Sequence, residues 1–170
     1  MGPTLATSSS SDLEQFCSSA RRRLVGALSL YLGDAGVAEE LANEALLRAV
    51  DRWPDVRLMM NPDGWVQTVA FNLARSRFRR LAAERRAYAR VAGETAAQHP
   101  DAADVLAVRA ALARLPNRQR QAIICRYYLD MSAADIAAAM GCSAGTVKVH
   151  LRSALTALRD AGLGVDGEDL

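Results

Sequence analysis

Arg126 to Leu158, RYYLDMSAADIAAAMGCSAGTVKVHLRSALTAL, contains two short helices arranged about a glycine turn. Ser132 followed by Asp135 has capping-box spacing, so a helix starts there and carries Ile136 and Met140 on its inner side. Gly141 ends it. Ser143 then caps a second helix with Gly145 and Thr146 in its first turn, where free backbone N–H groups suit a DNA phosphate. In that helix Val147, Leu151, Ala154, Leu155 and Leu158 recur at helical spacing and face a core. Thr146, Lys148, Val149, Arg152 and Ser153 are thereby turned outward, towards a major groove. The pattern is that of a helix-turn-helix.

Two amphipathic helices joined at a glycine also occur in all-helical proteins that bind no nucleic acid. The preceding segment, AALARLPNRQRQAIICRYY from Ala110 to Tyr128, argues against that reading. Leu112 and Leu115 precede Pro116, which opens a helix at its first position, and Ile123, Ile124, Tyr127 and Tyr128 supply its apolar face. A supporting helix is therefore expected behind the reader.

As a set, Leu115, Pro116, Arg118, Arg120, Tyr127, Ile136, Ala137, Gly141, Ser143, Gly145, Thr146, Val147 and Lys148 resemble the promoter-reading domain of bacterial sigma factors. Val149 and His150 depart from that pattern, where a Ser and an Arg are common. Thr-Val-Lys-Val-His-Leu is also similar to LuxR-type response regulators, so the C-terminal part alone leaves two families open.

The remaining sequence narrows the choice. With 170 residues, a net charge of +2 and 51% hydrophobic content, the chain is expected to be soluble and to hold one or two small domains. No apolar run approaches the roughly twenty residues needed to span a bilayer, and MGPTLATSSSS lacks the basic start and apolar core of a secretory signal. A disordered tail over 1–11 and a cytoplasmic location are expected. Cys17, Cys125 and Cys142 lack zinc or redox spacing and read as reduced, buried thiols. His99 and His150 have no acid–base or metal partner nearby in sequence, so no metal, cofactor or small-molecule substrate is expected, and no enzyme.

Asp12 caps a first helix to about Leu32, with Leu13, Phe16, Ala20, Leu24, Leu28 and Tyr31 inward. After the Gly33-Asp34 turn, Val37, Leu41, Ala45 and Ala49 are the expected inner face of a second helix. Glu39, Glu40 and Glu44 cluster near its start, either as a solvated face that suits the helix dipole or as a docking surface for a basic partner. Pro54 to Pro62 reads as a loop that exposes Leu58, Met59 and Met60, and an exposed apolar loop needs a ligand or neighbour. Asn61 caps a third helix with Trp65, Val66, Val69, Ala70 and Leu73 inward. Its far end, RSRFRRLAAERRAYAR from Arg75 to Arg90, holds seven arginines against Glu84, with Phe78 and Tyr88 interleaved. That is the electrostatic footprint of a nucleic-acid surface.

Gly33, Asp34, Ala38, Glu39, Leu41, Glu44, Leu47, Arg48 and Trp53, followed by Pro62, Trp65, Val66, Ala70, Asn72, Arg79 and Arg80, resemble the promoter-melting domain of the extracytoplasmic-function (ECF) sigma factors. Two domains in this order are more specific than either alone, and a LuxR-type regulator would begin differently. Glu40 and Asn43 replace the usual Asp and Gln, and Ser76 stands where Asp is common.

The resemblance implies an all-α protein of two small helical domains: region 2 over 12–90 and region 4 over 105–163, joined by a flexible acidic linker over 91–104 and ending in a tail over 164–170. It implies core RNA polymerase as a partner, with Glu39, Glu40, Asn43, Glu44 and Arg48 as contacts. Minus-ten promoter DNA would meet Arg57, Leu58, Met59, Asn61, Trp65, Asn72, Arg75, Arg77, Arg79 and Arg80. The minus-thirty-five duplex would meet Arg118, Ser143, Thr146, Lys148, Val149 and Arg152. An anti-sigma protein is a further expected partner. A stand-alone helix-turn-helix regulator is the alternative. Twenty arginines beside the one lysine, with abundant alanine, suggest a GC-rich genome.

Overall fold

The computed structural model describes the backbone over residues 4–88 and 103–163, and side chains over 11–80 and 105–163. Within these residues the fold is helical throughout, with no strand: α1 Thr4–Leu32, α2 Ala35–Asp51, α3 Trp53–Val56, α4 Pro62–Tyr88, α5 Ala103–Arg114, α6 Asn117–Ile123, α7 Ala133–Met140 and α8 Ala144–Asp160. The expected linker over 91–104 lies outside the described residues, apart from its last two, which open α5. The expected tail over 164–170 lies outside them as well.

Helix α1 starts at Thr4, within the stretch expected to be a disordered tail over 1–11. Nothing between Thr4 and Asp12 breaks a helix, and Pro3 stands just before it, where a missing N–H costs nothing. Further along, Ala20, Leu24, Leu28 and Tyr31 are buried as their spacing requires, joined by Ala27. Tyr31 packs edge-on against Phe71 and Phe78 of α4 at centroid distances of 5.2 and 5.3 Å. Each such pair contributes about 0.5–1.5 kcal/mol beyond area burial.

Helix α2 is capped by Asp34, whose side chain accepts from the Val37 N–H at 3.0 Å. Its inner face keeps the expected Ala45 and Ala49 but is shifted by one residue over the first half of the helix. Ala38, Ala42, Ala45, Leu46 and Ala49 are buried, whereas Val37 and Leu41 lie at the margin. The cause is packing: alanines allow α2 to lie close against α1, and the larger Val37 and Leu41 fit better at the edge of the contact.

Pro116 precedes α6 with an extended ψ of 143°, rather than opening it, and Asn117 is the first helical residue. Helix α6 then runs into a π-helical turn, Ile124–Tyr128, in which the Leu129 N–H bonds to the Ile124 carbonyl at 3.1 Å. The wider turn inserts a residue into the helical phase. Ile123, Ile124 and Cys125 remain buried, but Tyr127 and Tyr128 are carried off the apolar face to half-exposed positions. There they border an apolar groove with Leu30, Val108 and Leu163. Gly26 of α1 meets this turn closely, since a Cβ there would stand 1.9 Å from the Tyr128 hydroxyl oxygen.

In the helix-turn-helix, Ser132 accepts from the Asp135 N–H at 3.1 Å and Ser143 from the Thr146 N–H at 3.1 Å. Gly141 ends α7 at φ 63°, ψ 46°, a left-handed conformation that a side chain disfavours by about 1–2 kcal/mol. Apolar residues of both halves of the chain, from Leu24 and Phe71 to Ile136 and Leu155, belong to one continuous core.

Candidate nucleic-acid interface

On α8 the buried residues are Val147, Leu151, Ala154, Leu155 and Leu158, the expected set. Thr146, Lys148, Val149, Arg152 and Ser153 are exposed on the opposite side. Near the helix start, the Ser143 and Thr146 hydroxyls lie 2.9 Å apart and Ser143 caps the first turn. This end therefore combines free N–H groups, two hydroxyls and, one residue past Val147, the ammonium group of Lys148. A helix of this kind, standing clear of its own core, has the form that enters a major groove.

The outer face of α2 exposes Glu39, Glu40, Asn43, Glu44 and Arg48. Internal pairs organise it. Arg48 holds Glu44 at 2.9 Å, and Arg21 of α1 reaches Asn43 Oδ1 at 3.3 Å and Glu39 at 3.8 Å. Glu40 enters no ion pair among the described residues. Leu47 and Val50 are exposed on the same helix, adding an apolar margin. Sequence reasoning missed that margin as a contact surface, although helical spacing places Leu47 one turn from Glu44 and two turns from Glu40 on the same face.

Between α3 and α4, residues 57–61 expose Leu58, Met59 and, most fully, Met60, while Trp53 and Val56 anchor the loop from below. Met60 was absent from the expected contacts. Its neighbours in the loop were the signal that could have found it. Asn61 caps α4, its Oδ1 accepting from the Gly64 N–H at 2.8 Å, which leaves the amide nitrogen as the polar group available to a ligand. Trp65 is half-buried against the core, and Asn72, Arg79 and Arg80 are exposed along α4. Arg57 is exposed in the loop, and Arg77 is half-buried on α4.

Two expected DNA contacts meet somewhere else. Arg75 Nη1 of α4 and Arg118 Nη1 of α6 both donate to the Met140 carbonyl at the end of α7, at 3.2 and 2.8 Å. Arg75 also bonds Asn72 Oδ1. Across the same seam Arg120 donates to the Tyr31 carbonyl at 3.0 Å, and Arg23 to the Leu129 carbonyl at 3.0 Å. Arginines thus stitch α1 and α4 to α6, α7 and the π-helical turn through backbone carbonyls that the helix ends leave unpaired. No sequence pattern identified Arg23 or Arg120 in this role, because the carbonyl partners lie 106 and 89 residues away.

Cys125 is fully buried, and burial pushes its thiol up to about 12. Cys17 and Cys142 are half-buried. Among the described residues, no group of three or more His, Cys, Asp or Glu side chains could hold a metal ion. None of their helices is long and apolar enough to cross a membrane.

Comparison with known proteins matches residues 17–84 to Sigma-70 region 2 and residues 106–158 to Sigma-70, region 4. The ECF RNA polymerase sigma factor EcfG of Rhodopseudomonas palustris is 34% identical over 145 residues, covering 81% of this chain and 77% of that protein. The ECF RNA polymerase sigma factor SigL of Mycobacterium tuberculosis is 34% identical over 133 residues, covering 75% of each. Among solved structures, the sigma factor RpoE of Bartonella quintana, crystallised with the anti-sigma factor NepR, superposes with a TM-score of 0.78 at 26% identity. The match covers 88% of this chain and 96% of that one.

Proposed function

The chain belongs to the extracytoplasmic-function subfamily of bacterial sigma factors, and from that premise we propose how its surfaces divide the work of starting transcription. It is an alternative sigma factor, which binds core RNA polymerase and directs promoter-specific initiation. The observation that carries this is the order of its parts: a region 2 match with an acidic helix and an exposed apolar loop, then a region 4 match with an exposed recognition helix.

Region 2 extends over 12–90 and region 4 over 105–163. The outer face of α2, with Glu39, Glu40, Asn43, Glu44 and Arg48, docks on the polymerase, its negative charge steering a basic partner. Leu58, Met59 and Asn61 form the pocket for an unpaired minus-ten base, with Arg57, Met60 and Trp65 at its border. Asn72, Arg75, Arg77, Arg79 and Arg80 take the adjoining phosphates. Unstacking a base costs a few kcal/mol, which pocket and phosphate contacts offset. On region 4, Lys148, Val149 and Arg152 face base edges, while Ser143, Thr146 and Arg118 position the backbone of the minus-thirty-five duplex. The protein acts in the cytoplasm as a regulator, without chemistry of its own. An anti-sigma protein, as accompanies the Bartonella relative, is its expected inhibitor.

Promoter binding requires the seam to open. A compact chain of this length has a radius of gyration of about 15 Å. The two promoter elements are centred about 25 base pairs apart, roughly 85 Å at ~3.4 Å per step. Arg75 cannot hold both Met140 and a minus-ten phosphate in that geometry. Labels on Ser76→Cys and Ser153→Cys, in a chain with Cys17→Ser and Cys142→Ser, should move apart by tens of Å when core polymerase and promoter DNA are added. An unchanged distance in an active complex would refute the opening.

Replacing Lys148 and Arg152 by Ala should weaken use of the upstream element with core binding intact, each contact contributing about 1–3 kcal/mol of discrimination. Both side chains are exposed, so the fold is unaffected. Loss of core binding in this variant would contradict the assignment of α8.

The function itself is tested by run-off transcription from a pool of promoter sequences, with core polymerase and with or without this protein. Start sites sharing two spaced elements only in its presence are the expected result. Specific duplex binding by the free protein, without any effect on core polymerase, would instead identify a stand-alone regulator.

A further inference from the structure

At the seam between the two halves, α1, α4 and α6 enclose a cleft of about 170 Å³. That is below the roughly 300 Å³ at which pockets for drug-sized ligands begin, yet several times the ~30 Å³ one water occupies in the liquid. Arg75 and Arg79 enter it from α4 and Arg118 from α6, and no carboxylate lines it. Three guanidinium groups brought together without a counter-anion repel one another, most strongly at the half-buried Arg75, since Arg79 and Arg118 are exposed and partly screened by solvent. The Met140 carbonyl, which accepts from Arg75 and Arg118, offsets only part of this, since it carries a partial charge.

A second observation comes from Gln121, on the same wall. Its side chain is completely buried, and neither its amide nitrogen nor its oxygen has a hydrogen-bond partner. Arg75 Nε is likewise buried and unpartnered. Buried polar groups are satisfied in the great majority of cases, and one left bare costs about 1–3 kcal/mol. The unmet donors, Gln121 Nε2 and Arg75 Nε, belong to residues that line the cleft where the positive charge collects. Burial, and next the charge of Arg118, lowers the pKa of Arg75.

We infer that this cleft is a binding site for a small phosphate-class oxyanion, held by Arg75, Arg79, Arg118 and the Gln121 amide, which ties α4 to α6 and keeps the seam closed. Planar guanidinium forks match the tetrahedral oxygens of phosphate in a way that chloride cannot use. Asn117, at the rim, supplies a further donor. Tyr31 and Phe78 form an apolar wall that excludes water from one side. Because Arg75 and Arg79 are also assigned to minus-ten phosphates and Arg118 to the minus-thirty-five backbone, the bound anion and the promoter would compete for all three. That consequence rests on the proposed DNA contacts, whereas the binding itself does not.

Equilibrium dialysis of the full chain against labelled inorganic phosphate, at ionic strength held constant with chloride, tests the site. One phosphate per chain is expected. Gln121→Leu should weaken binding about 10-fold and Arg118→Gln about 10- to 100-fold, the range for hydrogen bonds to a charged group. Thermal melts check that each variant folds. Arg118 is exposed, so Arg118→Gln carries the test if the buried substitution fails to fold. Glycerol phosphate serves as a second probe. Tighter binding of inorganic phosphate identifies the free anion as the source of the group, and preference for the ester identifies a phosphorylated metabolite. Binding of neither probe, binding lost to chloride alone, or equal binding by wild type and both variants would overturn the site. None of these outcomes bears on run-off transcription, so the site and the sigma-factor reading fail separately.

Discussion

Reversing two charges on α2, with Glu40→Lys and Glu44→Lys together, should weaken association with core RNA polymerase by about 100-fold or more. Like charges brought together at an interface cost several kcal/mol, and each 1.4 kcal/mol is a factor of ten. The fold should survive. Both side chains are exposed, Glu40 has no ion pair among the described residues, and the Glu44–Arg48 pair at 2.9 Å is an exposed i,i+4 pair contributing about 0.3–0.5 kcal/mol. Competition for core polymerase against a labelled sigma factor measures the effect directly. The variant should keep its helical circular dichroism and its melting temperature to within a few degrees. Association equal to that of the unaltered protein would remove α2 as the docking face and leave its acidic residues as a solvated surface.

The second large effect is expected in the loop before α4. Leu58→Asp with Met60→Asp should leave core binding intact and reduce transcription from a duplex promoter at least 100-fold. The two apolar side chains are exposed at 74% and 106%, so neither contributes to the core and their loss does not unfold region 2. In the proposed function their value lies in what the loop covers when a base is turned out of the stack. A carboxylate in that position repels the phosphates and leaves the flipped base without an apolar wall, forfeiting about 1–3 kcal/mol of stacking-type contact per base in addition to the repulsion. A template already mismatched over the minus-ten region no longer needs melting and should recover much of the activity. Equal loss on both templates would place the defect in some other step, and undiminished activity on the duplex would dissociate the loop from melting altogether.

The targets of both substitutions are legible in the sequence. The acidic face of α2 follows from Glu39, Glu40 and Glu44 lying within one and a half turns of a helix. The apolar loop follows from Leu58, Met59 and Met60 standing where a polar turn belongs. Both are local patterns, and the structure leaves both exposed. The inner face of α2 was harder to read. A stripe of alanines and a stripe with Val37 and Leu41 are one residue apart, and hydrophobicity alone prefers the larger side chains. Close packing against α1 selects the smaller ones.

What the sequence by itself determined is α2, α4, α7 and α8, the caps at Asn61, Ser132 and Ser143, and the order of the two domains. The start of α1 at Thr4 and the short helix α3 inside the expected loop were not legible in it. Ser132, Gly141 and Ser143 act within a few residues of their own position, and the 3.6-residue period of Val147, Leu151, Ala154, Leu155 and Leu158 sorts α8 into inner and outer faces without reference to anything distant. Only the tertiary structure decided the seam. Arg23 and Arg120 find carbonyls about a hundred residues away, Arg75 and Arg118 share Met140, and Gln121 is buried without a partner beside them. The π-helical turn that carries Tyr127 and Tyr128 out of the core belongs to the same group. An arginine on an exposed helix carries no mark of whether it awaits a phosphate or a carbonyl. Its charge and reach are the same in both cases, and only the position of helix ends from the other half of the chain distinguishes them.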